Sequence, residues 1–146
     1  MRKIKILFLC EENSCRSQMA EAIVNNFYSY CCEAKSAGSR LTKIDPKAIL
    51  IMKEINIDIS QQKSKLVNQF FNKEFDYVIT LCGEDAKESC PYFIGKVKER
   101  LSWPIPNPKL AKGSEEEVLN FYRKIRDLLK DNIDKLCKEL NKREEK

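Results

Sequence analysis

Between Ile4 and Leu9 only Lys5 interrupts an apolar run, the pattern of a strand covered on both faces. The pattern then takes a helical period. Met19, Ile23 and Phe27 recur on one face of a segment from about Ser17 to Phe27. A short second strand is expected at Ala34–Ala37, ended by Gly38. Asp45-Pro46 reads as a helix start, because aspartate caps free amides and proline suits the first turn. Ala48, Ile49, Met52 and Ile55 follow at helical spacing. Asp76–Leu81 is the next clear strand and Val97–Leu101 a weaker one. Between them, acids, lysines, Ser89, Pro91 and Gly95 predict a mobile loop over residues 83–95. Alternate prolines make Trp103–Pro108 a stiff extended loop. Ser114 to Glu117 is a capping box that opens a long last helix. Its apolar stripe is Val118, Phe121, Ile125, Leu128, Ile133, Leu136 and Leu140.

Strands alternating with helices predict an α/β layer with a mostly parallel sheet. At 146 residues, with no repeat or linker, the chain reads as one domain over 1–146. The net charge of +5 suits a small anionic substrate, but Lys and Glu alternate on solvated helix faces, so no nucleic-acid partner is expected. Charge returns at Glu11 and Glu12 after the first apolar run, which is therefore no secretory leader, and no segment has the apolar length of a membrane span. A cytoplasmic protein is expected.

Residues 10–17, Cys-Glu-Glu-Asn-Ser-Cys-Arg-Ser, lie where the first strand gives way to the first helix. A cysteine, five residues and an arginine at such a junction form an oxyanion cradle. The amides of Glu11, Glu12, Asn13, Ser14, Cys15 and Arg16 would wrap a tetrahedral anion, and the Arg16 guanidinium would fork two of its oxygens. The helix start favours both the anion and a thiolate at Cys10, to which the Ser17 hydroxyl could donate. Elsewhere such spacing is chance, and a cysteine ending a strand is often simply buried. Here the strand before and the helix after point to a nucleophile aimed at phosphate or arsenate.

Seven cysteines and no histidine exclude Cys–His pairs, histidine-ligated metals and histidine bases. Cys10, Cys82 and Cys90 fall at expected strand ends or loops, and ligand chemistry in an open parallel sheet gathers at the strands' carboxyl ends. Cys10 and Cys82 could face each other, and Cys90 is close enough to Cys82 for a disulfide after loop rearrangement. The alternatives are a metal site, for which the Cys82/Cys90 spacing is too wide, and two unrelated buried thiols. Cys15 is expected beneath the loop and Cys137 in the core. Adjacent Cys31 and Cys32 would be strained as a disulfide.

With these pieces in hand, the chain resembles the thioredoxin-coupled arsenate reductases, which share the fold of low-molecular-weight tyrosine phosphatases. The resemblance rests on Cys10–Glu21, Ser36-Ala37-Gly38, Asp45–Ile49, Asp58-Ile59-Ser60, Thr80-Leu81-Cys82 and Cys90-Pro91. It implies a single-domain three-layer sandwich with a four-stranded parallel sheet, acting as a monomer without cofactor or metal. It further implies that Cys10 attacks arsenate, that Cys82 attacks Cys10 as arsenite departs, and that Cys90 then attacks Cys82. Thioredoxin would reduce the resulting Cys82–Cys90 disulfide. Arg16 and Ser17 would serve Cys10. A phosphatase, or a non-catalytic oxyanion-binding or redox-sensing module, would share the cradle.

Two positions depart from the family pattern. Asn107, before Pro108, stands where the family carries an aspartate as general acid, and an amide gives up no proton. Either Glu11 or Glu12 would then substitute, or the proline-rich loop shifts the alignment. Some family members bind potassium through groups matching Asn13, Glu21 and Ser36 plus an acid. Here Lys65 holds the acid's place. Its ammonium would replace the ion, pairing with Glu21 and bracing Asn13, unless it is a solvated surface lysine.

Overall fold

The computed structural model describes residues 2–83 and 90–144. Four strands form one parallel sheet: β1 (Ile4–Leu9), β2 (Cys32–Ala37), β3 (Glu74–Thr80) and β4 (Lys96–Ser102), ordered β2-β1-β3-β4. The helices are α1 (Arg16–Phe27), α2 (Pro46–Lys53) and α3 (Glu115–Glu144), with short 3-10 turns at Val67–Phe70 and Pro108–Leu110. All four strands were legible from the sequence, each within about two residues of its observed ends. Residues 84–89 of the expected mobile loop over 83–95 lie outside the described residues.

β1 is the centre of the core, and alternation along it sorts its side chains to the two faces. Ile4, Ile6 and Phe8 join Met19 and Ile23 of α1, Ile51 of α2, and Ile125, Leu129 and Ile133 of α3. Leu7 and Leu9 point the other way, against Val78, Phe70, Phe75 and Phe93. The sandwich is therefore a helical layer, the sheet, and a thin aromatic third layer, in which the Phe75 and Phe93 rings meet edge to face at 5.4 Å. β4, at the sheet's edge, is covered in charge (Lys96, Lys98, Glu99, Arg100), which discourages pairing with another chain.

The helices end and turn as their residues dictate. Ser114 Oγ accepts from the Glu117 N–H at 3.1 Å while Glu117 Oε1 accepts from the Ser114 N–H at 3.3 Å, so the capping box forms in both directions. Asp45 accepts from the Lys47 N–H at 3.0 Å and from the Tyr122 hydroxyl at 2.7 Å, so one carboxylate caps α2 and ties it to α3. Three assignments within helices need correction. Phe27 is 42% exposed, because α1 ends beneath it and its last turn leaves the core. Leu128 is 41% exposed, and Leu129 is buried in its place. A thirty-residue helix with 3.6 residues per turn drifts off a fixed stripe, and the core follows Tyr122, Ile125, Leu129, Ile133, Cys137 and Leu140. In α2, Ile51 is fully buried and Ile49 only partly.

Asp76 pins the start of the sheet. Its carboxylate accepts from both guanidinium nitrogens of Arg2 (3.1 and 3.0 Å) and from the Lys5 N–H (2.8 Å), with Lys98 Nζ at 3.2 Å. Burial pushes its pKa up, but these donors outweigh burial and hold it at about 2. Lowered in the fold, this carboxyl contributes stability that is full above its unfolded value of about 3.9 and is lost as pH falls toward the folded one. Asp76→Asn is thus expected to cost about 2 kcal/mol at neutral pH. The gap to wild type should close as urea melts are repeated at steps down toward pH 2; a constant gap would show that charge is not the cause.

Candidate active site

Strand order places the site before any side chain does. The chain leaves β1 toward β2 on one side, and β3 later joins β1 on the other, so a crevice opens beyond the carboxyl end of β1. The loop of residues 10–15 occupies that crevice and runs into α1. Leu81 N–H donates to Leu9 O at 2.8 Å, bringing Cys82 alongside the same end of the sheet.

The loop is held by its carbonyls. Glu11 O accepts from Ser39 N, Glu12 O from the Thr42 and Ser64 hydroxyls, Asn13 O from Gln18 Nε2, and Ser14 O from Asp45 N, all at 2.8–3.1 Å. Peptide N–H and C=O point opposite ways, so turning the carbonyls outward turns the amides toward the cavity. Asn13 has φ of +52°, a left-handed turn that asparagine tolerates better than most residues. The α1 N-cap, Cys15, supplies no side-chain cap, which leaves the first helical amides for an anion. Gly38 is required by close approach: a Cβ there would lie 2.7 Å from Glu11 O and 2.9 Å from Cys10 O and Asn13 N.

Inside the loop, Cys10 Sγ lies 2.8 Å from Ser17 Oγ. Asn13 Nδ2 donates to that same oxygen at 2.7 Å, leaving the serine's own proton able to point at the sulfur. Arg16 is buried, and its Nη1 donates to Leu81 O (3.1 Å) and Ile105 O (2.9 Å), which fixes the guanidinium plane. Cys15 is buried beneath the loop, and burial pushes its thiol well up, so it is no competitor to Cys10 as a nucleophile. A narrow cavity is bounded by Cys10, Glu11, Glu12, Ser14, Cys15, Arg16, Asn107, Pro108 and Lys109. Asn107 thus reaches the cavity wall, where its side-chain oxygen also accepts from the Lys109 N–H at 3.0 Å.

Cys82 and Cys90 are joined as a disulfide with Cα atoms 5.9 Å apart, and Cys10 is a free thiol. The other cysteines stay free and buried. Cys31 and Cys32 sulfurs lie 3.6 Å apart without bonding, and Cys137 sits 3.9 Å from Cys32.

The contacts that several residues make in the site carried no signal in the sequence. Gln18 donates through one nitrogen to Asn13 O, Asn13 Oδ1 and Lys63 O, and Gln62 holds Gln18 Oε1 at 2.7 Å. Arg40 and Lys109 meet the loop glutamates from distant segments. Only tertiary contact reveals them.

Lys65 Nζ lies 3.0 Å from Lys63 O and 3.5 Å from Glu21 Oε1, and the same carboxylate oxygen accepts from Ser36 at 3.0 Å. The ammonium already pairs with Glu21, the one carboxylate among the groups that would hold a potassium ion, and so competes with the ion there. Asn13 is braced by the Lys65 backbone N–H at 2.8 Å rather than by the ammonium. Melting temperature and turnover are expected to be indifferent to potassium against sodium at fixed ionic strength. Lys65→Asp should create a potassium response; a wild type strongly stabilised by potassium would overturn this assignment.

A parallel sheet with a Cys-x5-Arg loop at its switch point defines a class of oxyanion-binding cysteine proteins. Comparison narrows the class. The sequence matches the low molecular weight phosphotyrosine protein phosphatase family over residues 5–146, and the chain belongs to that family. Among its relatives, the arsenate reductase of Halalkalibacterium halodurans is 41% identical over 87% of this chain and 90% of that protein. That of Bacillus subtilis is 41% identical over 84% of this chain and 86% of its own length. A solved arsenate reductase in the phosphate-binding state superposes with a TM-score of 0.76 at 29% identity, covering 93% of this chain and 98% of that one.

Proposed function

We propose that this chain reduces arsenate to arsenite, through Cys10, Cys82 and Cys90, at the expense of thioredoxin. One observation carries the reading: a Cys82–Cys90 disulfide stands beside a cradle whose own cysteine is a free thiol. A phosphatase has no use for the second and third cysteines.

The chemistry balances as a relay. The Cys10 thiolate bonds to arsenic and expels one hydroxyl, which takes a proton from solvent and leaves as water. Cys82 then attacks the Cys10 sulfur; the S–As bond breaks with its electron pair going to arsenic, so arsenic(V) becomes arsenic(III) while a Cys10–Cys82 disulfide forms. Cys90 attacks Cys82, releases the Cys10 thiolate and leaves Cys82–Cys90. The chain is then in the covalent state described above. Arg16 and the loop amides stabilise charge on the oxyanion throughout.

A protein dithiol suits the last step. Both sulfurs' residues are partly exposed, and Tyr92 and Ile94, just past Cys90, expose 65% and 68% of their surface as an apolar collar. The Arg100 guanidinium lies 4.4 Å from the Tyr92 ring centroid and donates to Phe93 O at 2.7 Å, holding that collar against β4.

Among the described residues no helix is long and apolar enough to cross a membrane. A cytoplasmic, monomeric protein fits the reading, since cytosolic thiols are kept reduced between turnovers. The test is NADPH consumption with thioredoxin and thioredoxin reductase. Arsenate should start it and arsenite should accumulate in step. Aryl-phosphate turnover that survives Cys82→Ser, with no arsenite formed, would make the chain a phosphatase instead. Anion binding without either turnover would leave only a binding module.

A further inference from the structure

The cradle carries two carboxylates where an anion has to bind. Glu11 and Glu12 sit on the loop, with side chains 19% and 24% exposed, and would repel an oxyanion. Two cations from distant parts of the chain answer them. Arg40 Nη2 lies 3.2 Å from Glu11 Oε1 and 3.0 Å from Glu12 Oε1. Lys109 pairs through its ammonium with the other oxygen of Glu12.

The two cations differ in place. Lys109 borders the cavity that holds Cys10 and Arg16, and Arg40 does not. The Lys109 backbone is fixed on the cavity rim by its N–H to Asn107, while its side chain is 48% exposed and hangs on a flexible stem. If the ammonium turned inward, Glu12 would not be stranded, because Arg40 would still hold its Oε1.

We propose that Lys109 is a second oxyanion-binding cation, held by Glu12 in the anion-free protein and transferred to the anion when it enters beside Arg16. This rests on the cavity taking an oxyanion, as the proposed function requires. Glu12 then acts as a competitor for the lysine and sets how strongly the anion is held. An acidic loop thereby remains compatible with an anionic ligand, and the mouth carries little excess positive charge before binding.

Calorimetric titration with inorganic phosphate tests this on the full chain, using Lys109→Met, Glu12→Gln and the double variant, each checked by its melt. Lys109→Met should weaken phosphate about fivefold, the scale of a charge-assisted bond discounted for exposure. Glu12→Gln should tighten it by about as much. The decisive comparison is Lys109→Met made in the Glu12→Gln background. There the lysine has no competitor, so its loss should weaken phosphate more than about fivefold, and the effect should persist when salt is raised. If the loss costs nothing in that background, Lys109 is only a latch between two loops and the proposal fails. It fails equally if the effect vanishes with salt, as a distant charge would. A wild type that binds phosphate but reduces no arsenate would sink the functional proposal and leave this one standing.

Discussion

Cys90→Ser is expected to release one arsenite per protein molecule and then stop. Cys10 and Cys82 suffice for the two-electron step, because one supplies the adduct and the other the attacking sulfur. What the variant lacks is the thiol that returns Cys10 to the free state, so the Cys10–Cys82 disulfide should accumulate. Cys82→Ser should stop earlier, at the arsenic adduct, and Cys10→Ser should form none. Serine is nearly isosteric but is not a sulfur nucleophile, so each block is chemical and total for multiple turnover. Peptide mass mapping after a single arsenate pulse distinguishes the three stopping points. A Cys90→Ser protein that cycles normally with thioredoxin would mean that the reductant attacks Cys10–Cys82 directly and that the Cys82–Cys90 bond lies off the path.

Asn107→Asp is expected to raise aryl-phosphate hydrolysis by about 10²-fold, the scale of one positioned general acid. Asn107 borders the cavity with Cys10 and Arg16, and its amide has no proton to give a departing phenolate. The side-chain oxygen that accepts from Lys109 N–H survives the substitution, so the turn over Pro108–Leu110 should keep its shape. Arsenate reduction should gain less, since its rate also depends on thiol exchange. Steady-state rates of both reactions across pH, on both proteins, make the comparison. No change in phosphate-ester hydrolysis would remove Asn107 from the acid's position. In the anion-free protein Lys109 first, and Arg40 with it, hold the Glu12 carboxyl below the usual carboxylate range, and Arg40 remains on it if Lys109 moves to the anion, so Glu12 would be a poor replacement.

Much of the site was legible because it is local. Cys10, Arg16 and Ser17 lie within eight consecutive residues, and a strand-to-helix junction is readable from period alone. The Cys82–Cys90 pairing was legible only through resemblance, since spacing left a metal site and unrelated thiols open. The helical stripes were misread in two places, at Phe27, where α1 ends, and at Leu128, midway along α3, where the helical period drifts off a fixed stripe. Surface exposure at a helix end depends on what packs there, which no periodicity records.

The sequence by itself determined the alternation of strands and helices, the Cys-x5-Arg loop at the first strand-to-helix junction, and the exclusion of histidine chemistry, because each is set by residue type at short separation. Tertiary structure alone decided what surrounds the cradle. It brings Arg40 and Lys109 to Glu11 and Glu12, the Leu81 and Ile105 carbonyls to Arg16, and the Lys65 ammonium to Glu21. These partners lie from 28 to 97 residues apart in the chain. A polar side chain at such a distance looks like any surface residue until the sheet closes and puts it within about 3 Å of its partner, where charge and hydrogen bonding first acquire strength.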